Sequence, residues 1–129
     1  MARILVADDD ADFRDVVSVI LEASGHDLQL ARDGLDALRV FNKWAPGVVL
    51  LDMFMPTMDG LETVVAMRRA SSRVKIIAVS GGWGRDETES TLHVLDQAVA
   101  LGADTALRKP FDRNALRRLI DELMMRGHV

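Results

Sequence analysis

The strongest constraint on this chain is an alternation. Short apolar runs are each followed by a stretch with apolar residues at helical spacing. Ile4–Ala7 reads as a buried strand, and Phe13, Val16, Val17, Ile20 and Leu21 follow it at i, i+3, i+4, i+7 and i+8. Gly25 closes that helix. Leu28–Ala31 reads as a weaker strand, and Leu35, Leu38, Phe41 and Trp44 make a second helical stripe ended by Pro46-Gly47. Val48–Leu51 is apolar at every position, as expected of a central strand in a parallel sheet. Leu61, Val64 and Val65 mark a third helix behind Asp59-Gly60. Val74–Val79 predicts a fourth strand, broken only by Lys75. Leu92, Leu95, Ala98 and Val99 mark a fourth helix ended by Gly102. Thr105–Leu107 predicts a short fifth strand, and Leu116, Leu119, Ile120, Leu123 and Met124 a final helix.

Five β-α units predict an α/β fold: a five-stranded parallel sheet with helices on both faces, joined by right-handed crossovers. A length of 129 residues fits one domain over 1–129, with no linker, repeat or attached output domain expected. Hydrophobic residues at 49% and charged ones at 28% suffice for an ordinary core. A formal net charge of −4 argues against a general nucleic-acid binder. With no cysteine the fold rests on packing and thiolate chemistry is excluded. Arg3 is followed by only four apolar residues before Asp8, which is no signal-peptide pattern. No apolar run approaches the roughly 20 residues that span a bilayer. A cytoplasmic protein without membrane contact is the expectation.

In such folds ligands bind beyond the carboxyl ends of the strands. Asp8 and Asp9 follow the first strand, Asp52 ends the third, Ser80 ends the fourth and Lys109 follows the fifth. The βα repeat therefore predicts all five at one edge of the sheet. Three clustered carboxylates repel one another, and a hard divalent cation removes that cost. Mg²⁺, held by one or two carboxylates plus water and phosphate oxygens, suits the set. A carboxylate is also a known nucleophile toward phosphorus. Lys109 can supply a point charge and Ser80 a hydroxyl to the remaining phosphoryl oxygens.

The chain resembles the receiver domain of bacterial two-component response regulators over nearly its whole length. The residues that carry the resemblance are Val6-Ala7-Asp8-Asp9, then Leu50-Leu51-Asp52-Met53-Phe54-Met55-Pro56-Thr57-Met58-Asp59-Gly60, then Ala78-Val79-Ser80-Gly81, then Gly102-Ala103-Asp104 and Lys109-Pro110-Phe111. The resemblance implies a flavodoxin-like, chemotaxis-regulator-like (βα)5 fold with strand order 2-1-3-4-5. It implies that Asp52 is the phosphoacceptor. Asp9, Asp52 and the backbone carbonyl of Phe54 would bind Mg²⁺ directly, with Asp8 acting through water. Ser80 would be the switch hydroxyl, Lys109 would pair with the phosphoryl group, and the Lys109-Pro110 bond would be cis. The implied phosphodonor is a histidine kinase or a histidine phosphotransfer protein. The domain would assist its own phosphorylation and dephosphorylation without being an enzyme for an outside substrate. Phosphorylation would shift a pre-existing equilibrium read by a downstream protein on the face of the fourth helix, fifth strand and fifth helix. A homodimer through that face is compatible with the sequence.

Two departures from the family pattern stand out. Three residues before the lysine the family carries Tyr or Phe; here that residue is Ala106, and the chain has no Tyr. The stretch from Ser80 to Gly102 is longer than the family's, with Gly81-Gly82-Trp83-Gly84 leading into Asp86 and Glu89, which resemble a capping pair for a helix starting near Glu87. Trp83 is the candidate to replace the missing aromatic as a reporter of phosphorylation, or to contact a partner.

Other readings are weaker. A pseudo-receiver acting as a phosphate-independent interaction module is the main alternative, opposed by the complete set Asp8, Asp9, Asp52, Ser80 and Lys109. A haloacid-dehalogenase-type hydrolase needs an acid where Phe54 stands, and a Rossmann nucleotide site needs glycines where Asp8-Asp9-Asp10-Ala11 stands. Asp10 and Asp12 read as helix cap and first-turn acids. Met53, Met55 and Met58 read as packing. His26, His93 and His128 are far apart and take no role. Arg113, Arg117 and Arg118 read as the solvated face of the last helix.

Overall fold

The structure is a computed structural model and describes residues 1–81 and 89–126. Strands and helices alternate along the chain: β1 (Arg3–Ala7), α1 (Ala11–Ala23), β2 (Asp27–Ala31), α2 (Gly34–Trp44), β3 (Val48–Asp52), α3 (Gly60–Ala70), β4 (Lys75–Gly81), α4 (Glu89–Leu101), β5 (Thr105–Lys109) and α5 (Arg113–Arg126). The five strands are parallel in the order β2-β1-β3-β4-β5. The chain therefore starts near the middle of the sheet, reverses its direction of growth after β2, and leaves a crevice beyond the carboxyl ends of β1 and β3.

The pleat sorts the side chains into two cores. Leu5, Ala7, Val49, Leu51, Ile76 and Ala78 face α2, α3 and α4. Ile4, Val6, Val48, Leu50, Ile77 and Val79 face α1 and α5. Successive residues of one strand thus enter opposite layers, which is why the three central strands are apolar at nearly every position. Asp10, Asp33 and Asp59 cap α1, α2 and α3, each side chain accepting backbone N–H groups of the first turn.

Three expectations from periodicity need correction. Val16 of α1 and Leu35 of α2 are 60% and 58% exposed, so neither belongs to a core stripe. On α2 the residues buried are Gly34, Ala37, Val40 and Phe41. Arg117 is half-buried, with its Nε shielded and without a hydrogen-bond partner among the described residues, and so does not share the solvated face of Arg113 and Arg118. The segment carrying Trp83 and Asp86, and the expected helix start near Glu87, lie outside the described residues, as does His128. None of the described helices is long and apolar enough to cross a membrane.

Candidate phosphoryl and metal site

The strand ends bring three carboxylates together. One oxygen each from Asp8, Asp9 and Asp52 lies within 4.8 Å of the others. Asp8 and Asp52 are buried and Asp9 is exposed, so the cluster opens to solvent on one side. Asp8 follows β1 and Asp52 is the last residue of β3, the strand paired to β1. Register alone fixes this approach.

Both Asp8 oxygens are occupied. Oδ1 accepts the Asp10 N–H at 2.9 Å, and Oδ2 accepts the Lys109 ammonium at 2.7 Å. The Lys109 side chain is only 11% exposed, so this ion pair joins two largely desolvated groups. Its position comes from β5, which runs two residues beyond its predicted end and includes Lys109. The Lys109-Pro110 peptide is cis. Asp52 Oδ1 accepts the Phe54 N–H at 3.4 Å, which turns the chain sharply after β3.

Ser80 lies inside β4, fully buried, and its Oγ has no hydrogen-bond partner among the described residues. Gly81 follows with φ +97°, a conformation that side chains resist, and an added Cβ would press on the Lys109 carbonyl. Gly60 sits equally tightly, since a Cβ there would overlap the Met53 backbone directly behind Asp52. The motif glycines are thus fixed by close approach. Met53 and Met55 pack in the core on the α2–α4 side, as expected of apolar fillers. Ala106 is half-buried in β5 and packs against that same core.

The donor set fits a hard cation. The three carboxylates, one of them bonded to the Lys109 ammonium, make an all-oxygen donor set that suits a hard cation such as Mg²⁺ and no softer metal. Beside Lys109 a groove of about 500 Å³ runs along α1, lined by Phe13, Val16, Ile20, Pro110 and Phe111 with Asp10 and Asp12 beside them.

Two features escaped the sequence reading. Thr57, in the loop after β3, adopts φ +69°, rare for a β-branched residue. Its hydroxyl donates to Asp33 Oδ1 at 3.1 Å and accepts the Leu35 N–H at 3.3 Å, tying the loop to the start of α2. Arg68 of α3 donates to the Gly102 carbonyl (2.9 Å), the Val74 carbonyl (2.7 Å) and Asp104 (2.8 Å), at the end of the sheet away from the acids. The Gly102-Ala103-Asp104 motif marked one side of this contact; nothing marked the arginine.

Comparison with known proteins points the same way. Residues 4–121 match the model of the response regulator receiver domain. The chain is 35% identical over 120 residues to the transcriptional regulatory protein CpxR homolog of Haemophilus influenzae, covering 92% of this chain and 49% of that protein. It is 32% identical over 126 residues to the DNA-binding dual master transcriptional regulator RpaA of Synechocystis, covering 98% and 50%. The chain therefore spans about half the length of these relatives. Among solved structures it resembles a CheY-like response regulator receiver domain protein from Methanospirillum hungatei, with a TM-score of 0.88, 25% identity and coverage of 98% and 96%. RpaA is named for DNA binding, so the expectation of no nucleic-acid contact, drawn from a net charge of −4, is not supported.

Proposed function

This chain belongs to the response regulator receiver domain family, and from that membership we propose that it is the phosphoacceptor unit of a two-component phosphorelay, with Asp52 as the residue modified. Residues 1–129 act as one receiver unit in this reading. The observation that carries it is the meeting of Asp8, Asp9 and Asp52 within 4.8 Å, with Lys109 bonded to one of them. An Asp52 carboxylate oxygen attacks the phosphorus of a phosphohistidine. The new P–O bond forms as the P–N bond breaks, and the imidazole leaves with that electron pair. Asp9, Asp52 and the Phe54 carbonyl would hold Mg²⁺ directly and Asp8 would act through water, consistent with both of its oxygens already being engaged. Bound Mg²⁺ supplies positive charge against the carboxylates and phosphoryl oxygens. Lys109 takes one phosphoryl oxygen. Ser80, a buried hydroxyl lacking a partner among the described residues, donates to another.

The donor is a histidine kinase or a histidine phosphotransfer protein in the cytoplasm. It must cover the rim of the site to deliver its imidazole, and the apolar groove along α1 beside Lys109 is the surface fitted to seat it. The downstream protein reads the α4–β5–α5 face. Ala106 puts no ring there, so the coupling differs from the aromatic swing of the family. The domain turns over no outside substrate and is a switch. The complete acid, hydroxyl and lysine set speaks against a pseudo-receiver.

Incubation with Mg²⁺ and acetyl phosphate, followed by intact mass, tests this reading. The expected result is one added phosphoryl group on the wild type and none on Asp52→Asn. An unlabelled wild type, or equal labelling of both, overturns it.

A further inference from the structure

Lys109 has a second neighbour that the phosphoryl chemistry does not use. Its ammonium lies 3.9 Å from the centroid of the Phe13 ring while also bonding Asp8. At that distance the negative face of an aromatic ring attracts a cation, and the attraction grows as water is excluded. The lysine side chain is 11% exposed, so the ring stands where solvent would otherwise hydrate the ammonium.

The ring is itself held in orientation. Phe111 meets Phe13 edge-on, with centroids 5.9 Å apart and planes at 90°, an arrangement that aromatic pairs favour. The helix carrying Phe13 is pinned to the site as well. Arg14 donates to the Asp8 carbonyl at 2.7 Å, and the Asp10 side chain caps the first turn of α1. An aliphatic residue at this position would give the same apolar wall without the attraction.

Resting on the phosphorelay reading above, we propose that Phe13 is the positioning residue for Lys109: its face, fixed by Phe111, holds the ammonium desolvated one carboxylate away from Asp52, poised for a phosphoryl oxygen. Lys109 touches the transferred group; Phe13 acts only through Lys109.

Fluorinated phenylalanines at position 13 test this, because one, two and three fluorines weaken the ring face in steps with little change of shape. The labelling rate by acetyl phosphate at saturating Mg²⁺ is expected to fall stepwise, by roughly 2- to 30-fold across the series, with unfolding midpoints constant. Phe13→Trp is expected to keep the rate and Phe13→Leu to match the trifluorinated ring. In metal-free protein, the Lys109 ε-CH₂ protons are expected to show an upfield ring-current shift that Phe13→Leu abolishes. A labelled wild type whose rate ignores fluorination overturns the proposal, as does a missing ring-current shift. A wild type that takes no label sinks the phosphoacceptor reading instead, and the ring-current measurement still decides the Phe13–Lys109 contact.

Discussion

Ser80 carries a hydroxyl that lies fully buried in β4. A buried donor without a partner forfeits about 1–3 kcal/mol, and Ser80 Oγ has none among the described residues. Ser80→Ala should therefore leave the urea midpoint unchanged or raise stability by about 1 kcal/mol, while slowing phosphoryl labelling. A loss of stability would mean that the hydroxyl is satisfied. The position of Ser80 was legible as the end of an apolar run. Its unsatisfied state was not, because partners across a sheet leave no trace in spacing. His26 gives a second prediction at this scale. Its Nδ1 accepts the Ala2 N–H at 3.1 Å, a bond that the protonated ring cannot make. Burial first, and then the N-terminal ammonium, hold its pKa below the ordinary 6.5, with Asp121 opposing. The unfolded chain binds that proton more tightly, so the stability His26 contributes is present above 6.5 and lost as pH falls through 6.5 toward the folded value. Urea midpoints followed from about pH 8 to about pH 5 should fall more steeply for the wild type than for His26→Gln. Equal slopes would remove His26 from the account.

Among the elements, periodicity found every strand and helix, and on α1 and α2 it placed one residue each, Val16 and Leu35, on an inward stripe that the rest of the stripe occupies. It follows large apolar residues, and α2 also packs through Gly34 and Ala37 while Leu35 points out. On α1 the apolar residue in excess, Val16, lines the groove beside Lys109. That exposure has a consequence for transfer between proteins. Val16→Glu should lower phosphoryl transfer from a phosphohistidine protein by about tenfold, equivalent to roughly 1.4 kcal/mol, and by distinctly more than it lowers labelling by acetyl phosphate. Equal effects on both would place the donor elsewhere. Arg68 is the reverse case, a polar residue fastening elements together. It ties α3 to the turn before β5, and Asp104 also accepts the Ile76 N–H at 2.8 Å at the start of β4. Apart from the Asp104 carboxylate its partners are backbone carbonyls, which no motif advertises. Arg68→Ala should cost about 2–3 kcal/mol in chemical denaturation, and Arg68→Lys should fail to restore it, since an ammonium cannot span several acceptors in one plane.

At the scale of the whole molecule, an order of elements repeated five times was enough to read both the sheet and the edge that bears the site. Right-handed crossovers leave few alternatives, and strand ends in a parallel sheet share one side. What the order could not convey was how closely the acids approach. Their mutual repulsion in the folded chain predicts a thermodynamic signature. At about 100 times its dissociation constant, Mg²⁺ should stabilise the protein by roughly 2.7 kcal/mol, read as a higher melting temperature. Asp9→Asn combined with Asp52→Asn should abolish most of that gain, and a double variant stabilised as much as wild type would move the cation elsewhere. The bond between Lys109 and Asp8 joins residues 101 positions apart in the chain. A ribosome must therefore release the last strand before the first acid meets its lysine. A half-made or clipped stretch, however native its early helices, lacks this clasp, so the contact acts as a completeness mark that registers when both ends of the β-α series have come together.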